Sequence, residues 1–283
     1  MGEILRGSEI ALKKREIMRT AIENLPDGER GPHIAVIVAG DDPASIYYAN
    51  LIEKIGTKEG FKVELNHLKN PDTAQMKELV DRLNRDNKID GVIIQLPLPP
   101  GLDKEAIFDR LSPEKDADGQ TPENLGRLLA GRSAPVPATA RAVVELLKGN
   151  NIDIIGREAV VIGRSTAVGI ATALLLIKEN ATVTVCHTKT LGLRKHTSKA
   201  DILIASAGVP NMLGVDDVKE GAYIVDVGTS EVDGEIIGDV RFDEVIEKAS
   251  VSPVKGGVGA LTLACLLENT FELYRKNIQR QRT

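Results

Sequence analysis

The residues of the first half whose types and placement could do chemistry are Tyr48, Gln95 and Asp118. Tyr48 lies in Ser45-Ile46-Tyr47-Tyr48-Ala49-Asn50-Leu51-Ile52-Glu53-Lys54, which follows an apolar run and the turn Gly40-Asp41-Asp42-Pro43. Ser45 is placed to cap the helix that starts there, with Tyr48 one turn in and Ile52 one turn further on the same face. Gln95 is the polar side chain at the exit of the apolar run Gly91–Ile94, just before Leu96-Pro97-Leu98-Pro99-Pro100. Asp118 sits in the acid-rich loop Pro113-Glu114-Lys115-Asp116-Ala117-Asp118-Gly119. Each has an ordinary reading alone: a packed aromatic, an uninformative amide, a capping or solvated carboxylate. As a set they gain weight, because each lies at a strand end or helix start of one lobe.

A second group lies further along. Gly163-Arg164-Ser165-Thr166-Ala167-Val168-Gly169 follows the apolar run Ala159–Ile162 and opens an apolar helix. It has only the outer glycines of the G-x-G-x-x-G fingerprint, so by itself it could be any tight crossover turn. The next strand ends in Cys186-His187-Thr188-Lys189, where an NAD-selective site would carry Asp or Glu for the ribose hydroxyls. Hydroxyl and cationic groups there, with Arg164 on the adjacent loop, suit a 2′-phosphate. The reading is dinucleotide binding with NADP, and NAD as the alternative.

These groups need a framework of alternating elements. Ser8 opens a helix that ends before Pro26; strands follow at Ile34–Val38, Phe61–Leu65 and Gly91–Ile94, with a helix between that Thr73 caps. A short helix around Lys104–Leu111, a Pro122-led helix and a Thr139-capped helix complete the first half. The second half places strands at Ala159–Ile162, Thr182–Cys186, Ile202–Ala205 and Tyr223–Val227, and a last helix at about Leu261–Tyr274. The fold class is α/β with two domains. The first is an N-terminal α/β domain of residues 1–145, onto which a C-terminal helix (261–283) packs back; the second is a Rossmann-type doubly wound parallel sheet of residues 146–260.

Composition narrows the functional classes. In 283 residues, a net charge of −5 leaves no basic surplus for phosphates, and 3% aromatics leave few stacking platforms, so nucleic acid is not the partner. No apolar run could span a bilayer, and two cysteines (Cys186, Cys265) make no disulfide framework, so the expected location is a reducing cytoplasm. Four histidines and two cysteines leave little material for a metal site.

In this order, Ser45-x-x-Tyr48, Gln95-Leu96-Pro97-Leu98, Pro113-Glu114-Lys115-Asp116-x-Asp118-Gly119, Gly163-Arg164-Ser165-x-x-Val168-Gly169, Cys186-His187-x-Lys189-Thr190, Gly238-Asp239-Val240 and Gly256-Gly257-Val258-Gly259 resemble the methylenetetrahydrofolate dehydrogenase/methenyltetrahydrofolate cyclohydrolase family. The resemblance covers nearly the whole chain. It implies a homodimer of one-carbon metabolism, with a tetrahydrofolate derivative in the cleft and NADP on the C-terminal domain. It places Tyr48 near the folate, Gln95 at the catalytic centre and Asp118 on the pterin. Ser45, Leu96, Pro97, Lys255, Gly256 and Gly257 join the substrate site. Gly163, Arg164, Ser165, Val168, Gly169, His187, Thr188, Lys189 and Thr229 join the cofactor site.

The chain departs from the family pattern in three places. The family's first motif reads Ser-x-x-Tyr-x-x-x-Lys, its lysine being the cyclohydrolase centre; here that position is Ile52. Lys255 and Ala260 replace the two prolines of Pro-Gly-Gly-Val-Gly-Pro, and Pro137-Ala138-Thr139-Ala140 replaces a segment ending in proline. Hydride removal from the methylene carbon requires no general base, whereas adding water to the methenyl carbon and opening the ring requires proton transfers. The expectation is a dehydrogenase with weak or absent cyclohydrolase activity. The alternatives are a bifunctional enzyme in which Lys255 or Lys54 substitutes, a non-catalytic folate or nucleotide binder, or an enzyme for another pterin carrier.

Overall fold

The structure is a computed structural model that describes residues 1–282. The chain runs through α1 (Ser8–Glu23), β1 (His33–Ala39), α2 (Pro43–Lys58), β2 (Lys62–Leu68), α3 (Thr73–Arg85), β3 (Gly91–Ile94), α4 (Lys104–Phe108), α5 (Pro122–Leu129) and α6 (Ala138–Gly149). It continues with β4 (Glu158–Ile162), a π-helical turn at Thr166–Ile170, α7 (Ala171–Lys178), β5 (Thr182–Cys186), α8 (Arg194–Thr197) and β6 (Ile202–Ala205). Then come β7 (Tyr223–Asp226), the hairpin β8 (Ser230–Val232) and β9 (Glu235–Ile237), α9 (Phe242–Val245), β10 (Ser250–Val251) and α10 (Val258–Arg282).

Two units form. One contains Lys13–Val136 and the chain from Leu266 onward, the other Met1–Leu12 and Pro137–Cys265. These limits differ from the linear division at 145/146 and 260/261. Leu5 N–H donates to Val251 O at 3.0 Å, and Ile4 bridges Val251 in parallel, which ties the first residues to β10. From Leu266 on, α10 belongs with the first lobe: Asn269 Nδ2 donates to Ala117 O and Val136 O, each at 2.9 Å.

The unit that holds Tyr48, Gln95 and Asp118 is built on the parallel sheet β2-β1-β3. All seven residues of β1 are buried, as a central parallel strand covered on both faces requires. On one face Met76, Val80 and Leu83 of α3, spaced at helical intervals, pack with Ile37, Val92, Ile94, Ile107 and Phe108. Each such side chain contributes about 1.5–3 kcal/mol by leaving water. β2 is the partly exposed edge.

The other unit has the sheet order β10-β7-β6-β4-β5, every pair parallel. Renumbered within the unit, this is the 2-1-3-4-5 arrangement of a doubly wound sheet. Its order reverses between β4 and β6, so the ligand crevice of such a fold lies outside the carboxyl ends of those two strands. No helix among the described residues is long and apolar enough to cross a membrane.

Three expected caps are corrected by the structure. α2 is capped by Asp42, whose Oδ2 accepts Ser45 N–H at 2.8 Å, and Pro43 follows in the first turn. Ser45 is three residues inside, because Pro43 starts a helix without needing its own N–H bonded. Asp72, not Thr73, caps α3 in a reciprocal box with Gln75. Thr139 lies within α6, whose cap position is Pro137 with no side-chain bond.

Candidate active site

The three polar residues of the first lobe all follow the parallel strands of one sheet: Tyr48 after β1, Gln95 after β3, and Asp118 after a segment that bridges β3. α2 leaves the carboxyl end of β1 carrying Tyr48, which is half-buried. Gln95 follows β3 directly; its N–H donates to Ile37 O at 2.9 Å, so it extends the ladder with β1. Asp116 bridges Val92 of β3 in parallel, and the turn closed by Gly119 N–H on Asp116 O at 3.3 Å carries Asp118 directly after that bridge. Gln95 is 8% exposed and its Nε2 has no hydrogen-bond partner. A buried amide donor left unmade costs on the order of 1–3 kcal/mol, which makes it a strong candidate to meet a ligand. Asp118 accepts from Gln120 Nε2, and the Oε1 of that amide is buried without a partner. Gln120 was not foreseen; it stands two residues from Asp118 in a polar stretch that gave no separate signal.

Ser45 is buried, and its hydroxyl donates to Asp42 Oδ2 at 2.7 Å. That bond, with the Ser45 N–H, holds the Asp42 carboxyl below its usual range. The inward face of α2 is Ser45, Ala49, Ile52 and Gly56, and Ile52 is 0% exposed. Leu96 and Pro97 form the exit from β3, Leu96 half-buried and Pro97 exposed. Lys255, Gly256 and Gly257 belong to the other unit. There Gly256 takes a left-handed φ of 83°, and its carbonyl accepts from Gly7 and Ser8 N–H at 2.9 and 3.0 Å. These glycines shape the turn into α10, and Lys255 is exposed beside them.

In the doubly wound unit, Gly163 leaves β4 with φ of 125°, and a Cβ on it would sit 2.5 Å from Ser206 O. A Cβ on Gly169 would lie 2.3 Å from Gly163 O, backbone against backbone. The two glycines therefore let strand, turn and helix start close on one another, as a pyrophosphate cradle requires. Ser165 caps the π-helical turn, its Oγ accepting Gly169 N–H at 3.5 Å, and Val168 is half-buried within the turn. Past β5, His187 Nδ1 accepts Lys189 N–H at 3.1 Å, which turns Thr188 and Lys189 outward and exposed. Arg164 and Lys189 make no ion pair among the described residues, and no carboxylate occupies positions 187–190. Thr229 is exposed after β7. The cradle and the uncompensated cations fit a dinucleotide with an added 2′-phosphate.

Two buried carboxylates stand behind this crevice. Asp226 Oδ1 accepts from Gly228 and Asp239 N–H at 3.0 and 3.1 Å, and its Oδ2 accepts from Val240 N–H at 3.0 Å. Burial first, then the Asp239 charge, push the Asp226 carboxyl up to about 6, although the three N–H groups pull it down. The folded value exceeds the unfolded one of about 3.9, so the folded state binds the proton more tightly. The associated stability is present below about pH 4 and lost as pH rises through about 6. Wild type measured against Asp226→Asn is therefore expected to lose on the order of 3 kcal/mol between about pH 4 and pH 7. Urea unfolding of both proteins across that range checks it, and a pH-independent difference refutes it.

A polar site at the carboxyl edge of one parallel sheet, together with a dinucleotide crevice in a second doubly wound unit, defines a nicotinamide-dependent oxidoreductase class. Residues 5–118 match the tetrahydrofolate dehydrogenase/cyclohydrolase catalytic domain and residues 137–278 match the NAD(P)-binding domain of the same family. The chain belongs to the tetrahydrofolate dehydrogenase/cyclohydrolase family. It is 42% identical to the bifunctional protein FolD of Bacillus licheniformis over 98% of each chain. Among solved structures, the bifunctional FolD methylenetetrahydrofolate dehydrogenase/cyclohydrolase of Campylobacter jejuni shares 39% identity, with a TM-score of 0.94 and coverage of 98% of this chain and 99% of that one. The Trypanosoma brucei enzyme, complexed with NADP cofactor and inhibitor, shares 33% identity and a TM-score of 0.93, covering 98% of each chain.

Proposed function

We propose that this chain is an NADP-dependent 5,10-methylenetetrahydrofolate dehydrogenase whose methenyltetrahydrofolate cyclohydrolase activity is weak or absent. The observation that carries the second half is Ile52, apolar and 0% exposed, one helical turn beyond Tyr48. NADP supplies the hydride acceptor when bound. The chain's part is to hold and orient: Tyr48 and Asp118 along the pterin, Gln95 Nε2 as the donor waiting at the reacting end, the Gly163–Gly169 turn under the pyrophosphate. Loss of hydride leaves a cation shared by the two flanking nitrogens of the substrate, so positioning suffices and no side chain takes a proton. Hydrolysis of that cation is different. Water must be deprotonated and a ring nitrogen protonated, and lack of a positioned acid–base group typically costs on the order of a hundred- to ten-thousandfold. Lys54 is exposed and lies about 200° around the helix from Ile52, so it does not take over this role.

The test is to mix pure protein with methylenetetrahydrofolate and NADP, or NAD, and follow nicotinamide absorbance; methenyl hydrolysis is then measured separately. Fast reduction with slow hydrolysis is expected. Hydrolysis as fast as reduction would refute the loss of the second activity, and no reduction with either cofactor would make the chain a binder. For the cofactor, Arg164→Ala combined with Lys189→Ala is expected to raise KM for NADP roughly tenfold or more while leaving NAD unaffected, since only the 2′-phosphate is lost as a partner. The family resemblance also leads us to propose a cytoplasmic homodimer, which light scattering on the purified protein would check for assembly.

A further inference from the structure

We propose that Asp239 is a positioning residue for the nicotinamide half of the cofactor crevice, acting by holding the Ala207–Val209 loop through its carboxylate. This rests on the NADP reading above. Asp239 is 0% exposed, yet it faces the backbone of an exposed loop. Its Oδ2 accepts from Ala207 N–H at 2.6 Å and from Gly208 N–H at 3.1 Å, and its Oδ1 accepts from Val209 N–H at 2.8 Å. Three consecutive N–H groups on one carboxylate fix the loop's path and turn its donors inward. Ser206 joins the same loop to the first glycine turn: its Oγ donates to Ile162 O at 2.7 Å, and its carbonyl abuts Gly163.

Strand order says which end of the cofactor this loop meets. β5, β4, β6 and β7 are neighbours in that order, so their exits form a row. The cations after β5 suit the 2′-phosphate, and the glycine turn after β4 suits the pyrophosphate. The remaining half of the dinucleotide then reaches the exits of β6 and β7. Both exits are held by the carboxylate pair. Gly228, after β7, has no room for a side chain because Asp239 Oδ1 would lie 2.1 Å from its Cβ, and Ser230 Oγ donates to Gly208 O at 3.4 Å. Asp226 closes the base of the β8–β9 hairpin on either side, through Gly228, Asp239 and Val240 N–H, and so keeps Asp239 in place. The hairpin thereby returns Asp239 to the strand exits thirteen residues after Asp226.

The test is calorimetric binding of NADP and of 2′,5′-ADP, which occupies only the adenosine end, to wild type, Asp239→Asn and Gly208→Ala. Asparagine keeps the volume but turns one acceptor into a donor facing N–H groups. Gly208→Ala leaves the buried pair untouched and strains only the exposed loop, whose φ here is 66° with open space around it. NADP affinity is expected to fall about tenfold or more in Asp239→Asn and severalfold in Gly208→Ala, with 2′,5′-ADP affinity within twofold of wild type. The KM for the folate substrate is expected to stay unchanged. Equal weakening of NADP and 2′,5′-ADP, or NADP binding unchanged in both variants, overturns the assignment. If Asp239→Asn does not fold, Gly208→Ala decides alone. Failure of wild type to bind NADP overturns the cofactor reading itself and this inference with it.

Discussion

Replacing Ile52 with lysine is expected to raise methenyltetrahydrofolate hydrolysis by about a hundredfold or more, with dehydrogenase kcat changed by less than about threefold. The new amine would start one helical turn beyond Tyr48, on the inward face of α2 with Ser45, Ala49 and Gly56. Burial there lowers a lysine pKa toward neutrality, where it can both give and take a proton at working pH. The same burial has a cost. An isoleucine with 0% exposure becomes a polar group in an apolar setting, so stability is expected to fall by about 2–4 kcal/mol. Parallel hydrolysis and reduction assays, with urea unfolding, separate the two effects. Ile52→Met, which keeps the apolar volume, should leave hydrolysis where it is. Unchanged hydrolysis in a folded Ile52→Lys protein would mean that more than this side chain is missing.

Gly169→Ala is expected to abolish useful NADP binding, with a loss on the order of a hundredfold. A methyl group there would lie 2.3 Å from Gly163 O and 2.5 Å from Gly163 C, both backbone atoms with no rotamer to escape into. The turn after β4 and the start of the following helix would have to separate by about an ångström, at a cost of about 1–3 kcal/mol in stability as well. Gly126→Ala is the matched control: it lies in α5 with nothing within 4 Å of its Cβ. It should bind NADP normally and gain up to about 1 kcal/mol from helix propensity. Calorimetry and thermal unfolding of the pair read both expectations, and normal NADP binding by Gly169→Ala would remove the turn from the cofactor site.

Gly91–Ile94 and Ile202–Ala205 were legible because parallel strands buried on two faces read as unbroken apolar runs. The edge strand Thr182–Cys186 is only partly buried and is marked instead by its β-branched residues, and the two-residue strand Ser250–Val251 offers no run to read. Helix starts were less legible. Two competent cap residues stood within three positions of each other at Asp42 and Ser45, and side by side at Asp72 and Thr73, and hydrogen-bond geometry chose the earlier one each time. Pro43 was the available signal, since a proline in the first helical turn points to the residue before it. The β8–β9 hairpin went unread because its strands, Ser230–Val232 and Glu235–Ile237, are only three residues each and largely exposed; the signal present was Asp233-Gly234, whose φ values of 52° and 80° form the two-residue turn between them.

By itself the sequence determined the α/β class, the family, the dinucleotide unit and the absence of a lysine at position 52, because each depends on residue types at fixed spacings along the chain. Tertiary structure alone decided which groups meet. The bridge of Asp116 to Val92 brings the loop that carries Asp118 against β3, the strand that Gln95 follows, and burial leaves the Gln95 donor without a partner. The β8–β9 hairpin folds Asp239 back to the exit of β6, thirty residues and more from the N–H groups it holds. Such contacts are set by strand order and loop closure, which no local spacing of residues encodes.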